Sequence, residues 1–158
     1  MRKKILVHLL LVLVWLALTG EYTWVNFVFG FIVSYFALWL VDRASDTKKY
    51  IQFIPRFIGF ILFFIWELVK SNVMVAYEVA TPSLNMKPGI VAFPMDVKSD
   101  LEIIILTSVI ALTPGTSPVQ ISQDKRTLYI HGMNIGDRNE FVRDIKEGFE
   151  RRIIQLFE

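Results

Sequence analysis

Few of the 158 residues have the types and spacing that chemistry needs. There is no cysteine, which excludes thiolate catalysis, disulfides and Cys-based metal sites. Two histidines, His8 and His131, are too few for a histidine-rich metal centre, and no metal or cofactor is expected. Gly115 and Gly132 stand outside any phosphate-cradling pattern, and no serine sits in a nucleophile elbow. Asp96, Asp100 and Glu102 cluster in sequence. However, Ser99-Asp100-Leu101-Glu102 matches a capping box, so Asp100 and Glu102 are expected at a helix N-terminus, favoured by its dipole. A net charge of +2 gives no reason to invoke nucleic acid.

The remaining ionisable groups of interest lie in or beside apolar sequence, where they are costly and often functional. His8 sits one turn into an apolar run. A proton relay is one reading, but packing against a neighbour or the headgroups is the simpler expectation. Glu67 and Lys70, three apart on one helical face, are expected to pair with each other at a membrane boundary. A transport carboxylate would sit deeper among apolar residues, whereas Glu67 falls near the end of an unbroken run.

The elements that position these groups are set by hydropathy. Ile5–Leu18 is apolar except for His8, and Tyr22–Val41 except for Asn26 and Ser34, with only Thr19, Gly20 and Glu21 between. That pattern predicts a tight antiparallel helical hairpin in a bilayer, with helices at about 5–19 and 22–41. Met1–Lys4 followed by an apolar run resembles a cleaved signal, but a second run begins three residues later and favours retention. Small or polar Asn26, Gly30 and Ser34 share a face of the second helix, a candidate for packing against partner subunits. Arg2, Lys3 and Lys4 at one open end and Arg43, Lys48 and Lys49 at the other place both ends in the cytoplasm by the positive-inside rule. A third helix, about 53–78, starts apolar with Pro55 in its first turn and finishes amphipathic, so it either spans or lies tilted in the interface.

Residues 1–80 therefore read as membrane-embedded, holding all four Trp and nine of thirteen Phe, and 84–158 as a small soluble α/β domain. Its order is β-α-β-β-α: a strand Gly89–Val97, a helix from Ser99, a hairpin of Val119–Ser122 with Thr127–His131, and a final helix capped by Asp137. Phe141, Ile145, Phe149, Ile153 and Leu156 form the apolar stripe of that last helix, with Lys146, Glu147 and Arg151 facing water. From these residues alone two classes remain, an accessory subunit of a membrane complex and a minimal homo-oligomeric cation transporter. A membrane-tethered regulatory module has no motif behind it.

Several stretches occur in a telling order. They are Glu67-Leu68-Val69-Lys70-Ser71-Asn72, Lys87-Pro88-Gly89-Ile90-Val91, Ala111-Leu112-Thr113-Pro114-Gly115-Thr116 and Thr127-Leu128-Tyr129-Ile130-His131, with Phe149-Glu150-Arg151 near the end. Together they resemble the E-type component of the Mrp (Mnh, Pha) multisubunit Na⁺/H⁺ antiporters over essentially the full length. The segment Leu112-Thr113-Pro114-Gly115-Thr116 is the most specific mark, and Ser117-Pro118 after it is a small departure. The resemblance implies no enzyme, but an accessory subunit of a complex that exchanges Na⁺ for H⁺ at the expense of the proton-motive force. It implies other antiporter subunits and the lipid bilayer as partners, a multi-pass place in the cell membrane, and ion translocation by the larger subunits. The C-terminal domain is expected in the cytoplasm. Physically, Pro114 ends a helix and Gly115 permits a sharp turn, so this corner is expected to fix the domain's shape and docking surface.

Overall fold

The computed structural model describes residues 2–41, 45–81 and 87–157. In chain order they form α1 (Arg2–Thr19), α2 (Trp24–Val41), α3 (Ser45–Ala80), β1 (Gly89–Pro94), α4 (Asp100–Leu112), β2 (Thr116–Ile121), β3 (Thr127–Gly132), α5 (Arg138–Ile145), a π-helical turn (Lys146–Glu150) and α6 (Arg151–Phe157). The described residues are predominantly helical, with one three-stranded sheet, and the chain divides into two compact units, Met1–Pro55 and Arg56–Glu158. Residues 42–44, which include Arg43 of the basic open end, and 82–86 lie outside the described residues.

In the first unit the hairpin closes for local reasons. The Gly20 N–H donates to the Leu16 carbonyl at 3.0 Å from a left-handed conformation (φ +67°), which ends α1. Thr23 then caps α2, its hydroxyl accepting from the Asn26 N–H at 3.2 Å. Val12 and Leu16 of α1 and Leu38 of α2 are buried, while Leu6, Leu10, Leu13, Trp24 and Trp39 present an apolar outer surface.

The third helix departs from expectation. It begins at Ser45, so Pro55 lies well inside it rather than in its first turn. A proline has no N–H, so the Ile51 carbonyl four residues earlier loses its helical partner. The Tyr35 hydroxyl of α2 donates to that carbonyl at 2.9 Å, which is how the helix continues through the proline. The stretch Ile51–Ala80 is long and apolar enough to cross a membrane, whereas Lys4–Thr19 and Trp24–Leu40 are shorter apolar helices.

In the second unit the strand order is β1-β3-β2, all antiparallel, and Phe93 faces Leu128 across β1 and β3. β1 is an edge strand that stops at Pro94, three residues short of the expected end, because a proline cannot donate to a ladder. β2 starts at Thr116 rather than Val119, and the Ser117-Pro118 departure is absorbed by a bulge between Pro118 and Gln120 on the other edge. The alternation of β3 holds, with Leu128 and Ile130 fully buried and Tyr129 exposed. Val91, Phe93, Leu128 and Ile130 meet Ile103, Leu106, Val109 and Ile110 of α4 and Ile145, Phe149, Ile153 and Leu156 of the C-terminal helix in one core. The capping box at Ser99 is complete: Ser99 Oγ accepts from the Glu102 N–H and Glu102 Oε2 from the Ser99 N–H. Asp137 Oδ1 accepts from Asn139 and Glu140 N–H groups at 2.7 and 3.0 Å.

Candidate functional site

The residues singled out in sequence separate into two places. Asn26, Gly30 and Ser34 lie inside the hairpin. The Trp15 indole N–H donates to Asn26 Oδ1 at 3.0 Å, and the Asn26 amide donates to Thr19 Oγ1 at 2.7 Å and to the Glu21 carbonyl at 2.6 Å. Gly30 and Ser34 are buried, with Trp15 filling the space over Gly30. The face that the sequence offers to partner subunits is thus taken up by α1 of the same chain, because the tight turn folds α1 back onto it. His8 is also buried there; its Nε2–H donates to the Phe31 carbonyl at 2.9 Å and its ring lies 4.2 Å from that of Phe31.

The other residues converge in the second unit. Glu67 and Lys70 of α3 and Thr113, Pro114, Gly115 and Thr116 of the corner after α4 line one cleft of about 560 Å³. Lys70 Nζ stands 3.4 Å from Glu67 Oε1, with side chains 54% and 22% exposed, so the pair is solvated and of modest strength. The cleft runs along the α3 face of Phe63, Glu67, Ser71 and Glu78 and is closed opposite by Phe141, Ile145, Phe149 and Arg152. It presents carboxylates and cations together, with no group of three or more potential metal ligands among the described residues.

The corner is held by its threonines. Thr113, buried, donates its hydroxyl to the Val109 carbonyl at 2.8 Å, and Thr116 Oγ1 donates to the Ile110 carbonyl at 2.9 Å, satisfying orphan acceptors at the end of α4. Gly115 turns with φ +88°, and its carbonyl accepts from the Met133 N–H at 2.8 Å, tying the corner to the end of β3. Leu112 points outward, 61% exposed. A Cβ at Gly115 would meet Val75 at an ordinary 3.7 Å, so substitution there strains the backbone and not the packing. Gly115→Ala is expected to destabilise the chain by about 1–2 kcal/mol in a thermal melt, and Pro114→Ala by less.

The burial of Glu150 is not foreshadowed by the apolar stripe of the last helix. Glu150 is 1% exposed, its Oε1 accepting from the Asp96 and Val97 N–H groups at 2.6 and 3.2 Å and its Oε2 from Lys146 Nζ at 3.0 Å. In a continuous α-helix Glu150 would point away from the stripe of Ile145 and Phe149. The π turn inserts one extra residue and swings it inward by about 100°. Lys146, expected in water, is instead shared between Asp96 and Glu150, four residues on. On the far side of the turn, Arg152 donates to the Glu147 and Gly148 carbonyls at 2.9 and 2.8 Å and stacks 3.8 Å over the Phe63 ring of α3. The signal that could have found it is Lys146–Glu150 itself, an i,i+4 pair of opposite charge interleaved with the stripe of Ile145, Phe149 and Ile153.

Partial burial pulls the Lys146 ammonium pKa down, but the hydrogen bonds it donates to Asp96 and Glu150, together with their charges, outweigh it, and the net shift is upward from 10.5. A raised folded pKa gives stability that is full below 10.5 and is lost as pH climbs through the folded value. Lys146→Met is therefore expected to flatten the alkaline fall in melting temperature while lowering it at neutral pH, as followed by circular dichroism across that range.

Comparison with known proteins gives the fold its setting. A chain in the structure of the membrane-bound sulfane sulfur reductase, an archaeal respiratory membrane complex, superimposes with a TM-score of 0.60 at 24% identity, over 97% of this chain and 98% of that one. A chain of the Mrp complex from Dietzia sp. DQ12-45-1b gives 0.51 at 26% identity, over 65% of this chain and 96% of that one. The fold is thus one found in small subunits of large membrane complexes. A family model described as Na⁺/H⁺ ion antiporter subunit matches residues 8–156, and the chain belongs to that family, whose members are transporter components. Among relatives, the E-type Na⁺/H⁺ antiporter component of Alkalihalophilus pseudofirmus is 35% identical over 153 residues, 97% of each chain. The E1-type component of Staphylococcus epidermidis is 32% identical over 155 residues, 98% of each chain.

Proposed function

We propose that this chain is the accessory E-type component of a multisubunit Na⁺/H⁺ antiporter in the plasma membrane, supporting assembly and activity of exchange driven by the proton-motive force. The observation that carries this is the match to E-type antiporter components over 97% of this chain and of its relative. The Glu67–Lys70 pair agrees with it: Glu67 is half-buried and bonded to an exposed lysine, whereas an ion path would set its carboxylate deep among apolar side chains. The partners are the larger subunits of the complex and the bilayer. Purification of the tagged chain from membranes should bring those subunits with it, and the chain alone in liposomes should move no protons on Na⁺ addition. Na⁺-driven proton movement by the isolated chain would overturn the proposal.

In the same reading, residues 1–80 belong to the membrane and 84–158 form an α/β domain on its cytoplasmic side, with the second half of α3 lying along the interface. The support is physical. Between Arg56 and Glu78, α3 is held alongside the α/β elements by Arg56 to the Gln155 carbonyl at 2.6 Å, Phe63 against Phe149, and Asn134 to Glu78 at 3.1 Å. Were that stretch to stand across the hydrocarbon, the charged surface of the α/β elements would be dragged into it, at several kcal/mol per charge. With α3 in the interface, the domain stays on the side of the basic hairpin ends. Impermeant labelling of a cysteine at Ser122 in intact cells tests this: protection is expected, and labelling from outside would move the domain across the membrane. The corner Leu112–Thr116 is proposed to set the docking shape of the domain, and intact assembly and transport in a Pro114→Ala/Gly115→Ala variant would remove that role.

A further inference from the structure

The helix α4 has two apolar faces, and the fold uses only one. Ile103, Leu106, Val109 and Ile110 are buried against the sheet and C-terminal helix, while Leu101, Ile104 and Leu112 on the opposite side are 55%, 59% and 61% exposed. With half-buried Ile105 and exposed Ser108 they form one stripe, at positions 101, 104, 105, 108 and 112. This is the roughly 3.5-residue spacing of a helix–helix seam, with a small residue at its middle that lets another backbone approach. No charge falls on the stripe. A helix apolar all round belongs in an interior, and here the described residues supply only half of that interior.

We propose that this face of α4 is a docking seam for an uncharged, aliphatic helix of another subunit of the antiporter, an inference that rests on the function proposed above. The chemistry of α4 selects among occupants. It has no basic residue, and its first turn carries Asp100 and Glu102, whereas a helix lying on anionic lipid presents lysines and arginines around its apolar face. A second copy of the chain is disfavoured by size. Four aliphatic side chains on about 16 Å of helix fall short of the roughly 800 Å² per partner that a free-standing pair buries. As one contact within an assembly already held elsewhere, the seam is sufficient.

The test uses the intact complex. A photo-reactive benzoylphenylalanine placed at Ile104, and separately at Leu112, should cross-link on illumination to one and the same co-purifying subunit, identified by peptide mass spectrometry. Asn139, exposed on α5, serves as the off-seam control and should not give that adduct. Ile104→Lys should cut recovery of that subunit by about tenfold or more, since a charge buried in the seam is unpaired, while the isolated chain keeps its circular dichroism spectrum. Lipid adducts, adducts between two copies of this chain, or no adduct from an assembled complex would overturn the seam and leave the functional reading standing. Failure of the wild-type chain to co-purify with other subunits would instead overturn the functional reading itself.

Discussion

Glu150→Ala is expected to cost about 3–5 kcal/mol, the range for breaking a buried charged pair by removing one partner. In a chain of this size that lowers the melting temperature by roughly 10 °C in detergent micelles, read by far-ultraviolet circular dichroism. The carboxylate is the acceptor for two backbone N–H groups at the end of β1 and for Lys146, and it lies where water cannot replace it. Its loss leaves the Asp96 and Val97 N–H groups without an acceptor and removes the reason for the π turn. Asp96 still holds Lys146, which keeps the cost toward the lower end. Glu150→Gln is the informative companion. It preserves shape and an oxygen for the amides but turns an NH₂ group toward Lys146, so it should cost less than half as much. An Ala variant that melts with the parent would mean that the network contributes nothing.

Gly30→Ala should open the hairpin, although it adds one methyl group. A Cβ there would stand 2.5 Å from Trp15 Cδ1 and 3.0 Å from Cγ, closer than real atoms come. The indole cannot simply swing aside, because its N–H is bonded to Asn26 Oδ1 and Asn26 is in turn bonded to Thr19 and the Glu21 carbonyl. Overpacking of this kind costs about 1–3 kcal/mol, and the lost hydrogen bonds add about 0.6 kcal/mol each in a membrane setting. Both helices should persist, so helix content is the wrong measurement. Spin labels at Leu6 and Trp39, both on the outer surface, report the separation of the open ends; the expected result is a broadened and lengthened distance distribution. A sharp distribution identical to the parent's would show that Trp15 is free to repack.

Both positions teach the same lesson about what a sequence contains. Gly30 is recognisable as a packing residue from its spacing with Asn26 and Ser34, but the helix it packs against is not. That follows from the turn at Gly20, which folds α1 of the same chain onto this face. Glu150 is hidden for a different reason: helical periodicity assumes 3.6 residues per turn, and one π turn breaks the count.

Features that depend on neighbours along the chain are legible from residue types and spacing. The apolar runs, the caps at Ser99 and Asp137, the alternation of Leu128 and Ile130, the edge position of Pro94 and the order β-α-β-β-α are local consequences of side-chain type and backbone hydrogen bonding. The motifs around Lys70, Gly89, Pro114 and Tyr129 also sufficed to identify the family. What meets across the chain is set by tertiary packing. It carried α3 through Pro55, because Tyr35 of another helix supplies the missing donor. It brought Glu67 and Lys70 to the same cleft as the Thr113–Thr116 corner, and it left one face of α4 uncovered. Those outcomes depend on contacts between residues tens of positions apart, which no local period records.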